Sequence, residues 1–176
     1  MNSRLPMVFS HANGFPAPCY TKMFSALSAD FDIRYLPRLA HDPAYPVSDG
    51  WPELTQELIA FIEQGAHPVV AVGHSLGGFL SFMAAVKRPD LFSALILLDA
   101  PVIGRYRARA LQMGKRFGFI DRVTPARATK DRRRHWASEA EAIAHFRTRK
   151  LFRHFDPACL ADYVRHGTIQ TPEGLA

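Results

Sequence analysis

The chain has 176 residues, 48% of them hydrophobic, with a formal net charge of +6. That length supports one substantial core and is too short for two independent enzymatic domains. No apolar stretch approaches the roughly 20 residues of a bilayer span, and residues 1–6 lack the apolar centre of a secretory signal, so a soluble, cytoplasmic protein is expected.

Cys19 and Cys159 are far apart and lack metal-ligand spacing, which reads as reduced thiols rather than a disulfide or a zinc site. The positive charge is uneven. Residues 101–165 hold sixteen Lys/Arg against six Asp/Glu, whereas the remainder holds six against ten. Such a segment could attract an anionic substrate or surface, but a solvated helical face is the preferred reading. Nucleic-acid binding through Arg132-Arg133-Arg134 is not expected, because no aromatic or helical recognition motif accompanies the run.

In chain order, Leu5 to Ser10 reads as a short apolar strand entering a loop, Ser10-His11-Ala12-Asn13-Gly14-Phe15-Pro16, rich in turn-forming residues. From Pro18 to Ala29, the apolar positions Tyr20, Met23, Phe24 and Leu27 predict an amphipathic helix, and Phe31 to Leu36 a second strand. Pro37 to Gly50 is a proline-rich loop. Its His41-Asp42 pair looks like an acid-base couple, yet sequence neighbours on a loop need not face each other, and a structural role is preferred. Ser48 or Asp49 is a candidate cap for a helix starting at Pro52, with Leu54, Leu58, Phe61 and Ile62 on its buried side and Gly65 at its end.

Val69-Val70-Ala71-Val72 is an unbroken apolar run suited to a strand buried on both faces of a parallel sheet. Gly73-His74-Ser75-Leu76-Gly77 interrupts it, and Leu76, Phe79, Leu80, Met83 and Val86 then recur at helical spacing up to Pro89. Either this is a glycine-rich turn or it is a strand-to-helix elbow that exposes a serine. A serine hydroxyl is a poor nucleophile unless held near a base and beside donors for the developing oxyanion, and an elbow supplies that exposure. Gly73 and Gly77 lack the Cβ atoms that would collide in so tight a reversal, and Gly78 lets the helix approach the sheet. Ser75 would then stand at a helix N-terminus beside the free N–H of Leu76.

Here the chain resembles the α/β-hydrolase family, whose nucleophile elbow reads Gly-x-Ser-x-Gly. The loop after the first strand is similar to the family's His-Gly-x-Pro loop, with Ala12 where glycine is usual. The resemblance implies a second oxyanion donor from this loop, best matched by the N–H of Asn13. It assigns His11 to bracing the loop, since the family's base lies near the C-terminus. Ala94 to Leu98 forms a further strand ending in Asp99, a place from which some members present their acid; the alternative is a structural role capping the next turn.

Strands alternating with helices put the chain in the α/β class, as a partial, parallel, doubly wound sheet. Beyond Pro101, Ala108 to Phe117 and Ser138 to Phe155 show helical spacing, with Ser138 and Glu141 as a capping box. This resembles the helical cap of many α/β-hydrolases. The organisation expected is a partial core over 1–101, a cap-like segment over 102–170, and at 171–176 the start of a return to the core.

The family's acid and histidine follow late strands, and no apolar strand run occurs after residue 160. The resemblance thus covers nearly the whole chain but only the first two-thirds of a typical capped hydrolase, and the acid and base are expected beyond Ala176. His135, His145, His154 and His166 lie in the cap-like segment, and none is nominated as base. What is expected is a serine hydrolase acting on a small acyl substrate, a carboxylic ester, thioester or ring-cleavage product, without metal or organic cofactor. Serine at the elbow argues against the branches with aspartate there, the haloalkane dehalogenases and epoxide hydrolases. The rival is a catalytically silent relative that binds a ligand or partner.

Overall fold

The computed structural model describes residues 4–100 and 133–176. The helix read at Ala108 to Phe117 lies outside them. Four parallel strands form the sheet: β1 (Leu5–Ser10), β2 (Phe31–Tyr35), β3 (Val69–His74) and β4 (Phe92–Leu98), in the spatial order β2-β1-β3-β4. Ser10 and Gly73 are register partners, so the carboxyl ends of β1 and β3 lie side by side.

Alternation along the two central strands sends side chains to both faces. Val8, Val69 and Ala71 pack with Leu54, Leu58 and Ile62 of α2 (Pro52–Glu63) and Leu80 and Ala84 of α3 (Leu76–Lys87). Met7, Phe9 and Val72 face Met23, Phe24 and Leu27 of α1 (Thr21–Leu27) on the other side. With helices on both faces, β1 and β3 need apolar residues at successive positions, which is why Val69 to Val72 reads as a continuous run. The doubly wound α/β architecture expected from the sequence is the one observed.

Three local readings are corrected. The segment at Pro18 to Ala29 is a 3₁₀ turn, Ala17–Tyr20, followed by α1. Proline near its start is compatible with a first turn, and the Thr21 N–H closes onto the Pro18 carbonyl three residues back. Neither Ser48 nor Asp49 caps α2. With Pro52 at the first helical position the cap must be Trp51, which takes a left-handed φ of 56°, and the Ser48 hydroxyl bonds the Glu53 carboxylate. The helix read from Ser138 to Phe155 is shorter: α4 spans Glu139–Arg147, after which turns carry the chain to Phe155. Its N-terminus behaves as read, with Ser138 Oγ accepting from the Glu141 N–H at 3.2 Å and the Glu141 carboxylate accepting from the Ala137 N–H at 2.7 Å.

Helix α5 (Pro157–Gly167) packs against the Ala17–Tyr20 turn and α1. Asp156 caps it and pairs with Lys22 at 2.6 Å. The chain ends in a small hairpin, β5 (Gln170–Thr171) and β6 (Gly174–Leu175), where Leu175 exchanges backbone hydrogen bonds with Trp136. Trp136, Ala142 and Val164 are the buried centre of this part. Among the described residues, no helix is long and apolar enough to cross a membrane.

Candidate active site

The site is built where β1 and β3 end together. Ser75 follows β3 directly and precedes α3, with φ 50° and ψ −114°, a conformation that costs an L-residue about 1–3 kcal/mol. Its N–H bonds the Leu98 carbonyl of β4 at 3.0 Å, and its carbonyl accepts from Phe79 at 3.1 Å. The reversal is as tight as the glycines imply. A Cβ on Gly73 would lie 2.5 Å from Gly78 Cα, and one on Gly78 would lie 2.6 Å from Ala100 Cβ.

Gly77 has a longer reach. A Cβ there would sit 2.1 Å from the Ser10 carbonyl oxygen, so this glycine lets the first turn of α3 touch the end of β1. The contact places the loop after β1 beside the elbow. In that loop, the Phe15 N–H bonds the Ala12 carbonyl at 3.0 Å across Asn13 and Gly14, whose φ of +76° suits the third turn position. The Ala12 N–H points to the Tyr20 hydroxyl at 3.4 Å. Asn13 is exposed, and its N–H has no hydrogen-bond partner among the described residues. The N–H of Leu76 heads α3, where no carbonyl of its own helix can reach it.

His11 braces this loop. Its Nε2 accepts from the Leu39 N–H at 2.8 Å, so the ring proton resides on Nδ1, which donates to the Ala12 carbonyl at 2.9 Å. Burial, at 6% exposure, pulls its pKa below the ordinary histidine value.

Tyr20, which sequence reading treats as helix-face packing, joins the two loops. The Tyr20 hydroxyl lies 2.7 Å from His74 Nδ1 while also receiving the Ala12 N–H, so one phenol touches both candidate loops. Burial raises its pKa to about 12, and it stays protonated. His74, the residue before Ser75, is lowered by burial; the nearby charge of Asp99 opposes that shift without overcoming it. Phe15 leaves the loop for an aromatic cluster, with ring centroids 4.8 Å from Tyr163 and 5.9 Å from Phe152. Apolar spacing marks Tyr20 as helix-face packing, and no sequence signal announces its hydroxyl's partners.

Asp99 terminates β4 with φ 45°. Among the described residues no histidine hydrogen-bonds to Ser75 or to Asp99. Asp42 closes a local turn, accepting from the Ala44 N–H at 2.9 Å. Cys19 and Cys159 are free thiols, and burial raises that of Cys19 to about 12. No group of three or more potential metal ligands occurs among the described residues.

An alpha/beta hydrolase family model matches residues 7–173. The chain belongs to the alpha/beta hydrolase family. Its relatives include a type I acyl-CoA thioesterase of Penicillium brevicompactum, 25% identical over 97% of this chain and 41% of the relative. A human (lyso)-N-acylphosphatidylethanolamine lipase is 32% identical over 56% of this chain and 31% of the relative. Among solved structures, E-2-(acetamidomethylene)succinate hydrolase superposes with a TM-score of 0.73 at 19% identity, covering 98% of this chain and 60% of that one. This alpha/beta hydrolase chain thus spans less than half of either curated relative and three-fifths of the solved structure.

Proposed function

We propose that the chain carries the nucleophile and oxyanion half of a serine hydrolase that acts on a carboxylic ester or a related acyl compound, thioesters included. One observation carries this reading: Ser75 occupies a strained, positive-φ elbow between β3 and α3, with the loop after β1 held against it through Gly77 and Ser10. Ser75 Oγ attacks the acyl carbon as a base from outside the described residues takes its proton, the N–H groups of Leu76 and Asn13 receive the oxyanion, and collapse expels the alcohol or thiol with that proton returned to it, leaving an acyl-enzyme for water to cleave. Among the described residues Asp99, directly after β4, matches a place from which some family members present their acid, with a structural role at the next turn as the alternative. Residues 102–170 would cover the site as a cap. The thioesterase and lipase relatives support an acyl substrate.

A second reading, a silent relative that binds a ligand, is favoured by the lack of a histidine bonded to Ser75 among the described residues. Fluorophosphonate labelling with peptide mass analysis separates the two, since only an activated serine reacts. Modification at Ser75, abolished in Ser75→Ala, is the expected result. A natural protein that stays unlabelled, or reacts at another residue, would favour the silent relative.

A further inference from the structure

A cavity of about 1030 Å³ lies between α4, the turns that follow it, α5 and Ala176. Arg133, Arg134, Arg149 and Lys150 line it, and among the described residues no Asp or Glu side chain does. Among the described residues only Arg133 of these four is paired with an acid, Glu141 at 2.5 Å, and it also donates to the His135 carbonyl at 2.8 Å. Arg149 donates to Nε2 of His145 at 3.2–3.3 Å, a bond that requires a neutral imidazole and leaves the guanidinium charge uncompensated. Arg134 and Lys150 have no acidic partner among the described residues.

One wall is aromatic. Phe146 packs 5.1 Å from Trp136, 5.0 Å from Phe152 and 5.2 Å from Tyr163, and all four rings line the cavity. Trp136 and Phe152 are buried, whereas Phe146 and Tyr163 are half-buried and present surface. Guanidinium forks match phosphate oxygens in pairs, and an adjoining aromatic surface accepts a flat ring. The volume is at the upper end of small-molecule sites.

We propose that this cavity binds a nucleotide, with its phosphates at Arg134, Arg149 and Lys150 and its base against Phe146 and Tyr163. The site is distinct from the elbow: no residue of the Ser75 or Asn13 loops lines it. It stands or falls independently of the hydrolase reading.

Calorimetric titration of the natural protein with ATP, inorganic triphosphate and adenosine tests the proposal. ATP binds saturably, one per chain, and more weakly as salt is added; triphosphate binds less tightly than ATP and adenosine not at all. Arg134→Gln with Arg149→Gln lowers ATP affinity at least about tenfold, while Lys87→Gln, a remote charge loss, and Ser75→Ala leave it unchanged. Circular dichroism confirms that the double variant, altered only at exposed positions, is folded. No saturable ATP binding, equal affinity in the double variant, or triphosphate or adenosine binding as tightly as ATP would overturn the proposal.

Discussion

The Tyr20 hydroxyl stands 2.7 Å from Nδ1 of His74, and through its second contact, to the Ala12 N–H, it ties the loop after β1 to the elbow after β3. Tyr20→Phe keeps the ring packed on Phe9, at 4.6 Å, and removes only the tie. A loss of about 1–2 kcal/mol is expected in urea unfolding, with faster amide exchange confined to residues 11–14 and 74–76. Unchanged exchange in those segments would show that the phenol does not hold them.

Gly77 and Gly167 make a matched pair. A methyl at Gly77 meets the Ser10 carbonyl at 2.1 Å, backbone against backbone, and nothing flexible can give way. Gly77→Ala should cost about 3 kcal/mol or more, or prevent folding. At Gly167 the nearest atom is Tyr163 Cε2 at 3.5 Å, an ordinary contact, and the residue is helical. Gly167→Ala should remain within about 1 kcal/mol of the parent. Thermal melts of the two variants compare them directly.

The strain at Ser75 is expected to be measurable. Its side chain caps nothing, so its removal sacrifices no hydrogen bond of α3. Ser75→Gly relieves the positive φ and should raise stability by about 1 kcal/mol, whereas Ser75→Ala, equally strained, should not. Denaturant midpoints at constant m-value test this. Equal midpoints for glycine and alanine would mean that the backbone stores no strain there.

Acid should weaken the fold through His11. Burial lowers its folded pKa, and protonation of Nε2 would break the bond from Leu39, so the unfolded chain takes up a proton that the native state resists. The stability this supplies is present above the unfolded value of about 6.5 and is lost as pH falls through it towards the folded pKa. His74, also lowered by burial, adds to the same slope. Stability should therefore decline from about pH 7 to about pH 5. His11→Gln should be less stable at neutral pH and show a shallower decline. A His11→Gln slope identical to the parent's would remove His11 as a contributor.

The elbow at Ser75 and the loop after β1 are legible in the sequence to very different degrees. Gly73, Ser75, Gly77 and Gly78 announce an elbow because a backbone that must reverse in five residues tolerates no Cβ at fixed positions, and the apolar run before it marks a strand covered on both faces. The loop at His11 to Pro16 was readable as a turn but not as a clamp. Its bracing depends on Leu39, a residue 28 positions away, and on Tyr20, whose partners lie on two different strands' ends. The cap of α2 escapes sequence reading for a related reason: Ser48 and Asp49 both precede Pro52 as polar candidates, and backbone geometry selects Trp51 instead.

What the amino-acid order determined alone was local: strand and helix periodicity, the glycines of the reversal, and the uneven placement of charge. Each depends on residues within a few positions of one another, where chain connectivity already sets the geometry. Only the tertiary structure decided that a phenol from one helix joins two loops, that Phe15 reaches the rings of Phe152 and Tyr163, and that Arg134, Arg149 and Lys150 surround one cavity. Those are juxtapositions of residues distant in sequence, and they arise when buried faces pack; no periodicity in the chain encodes them.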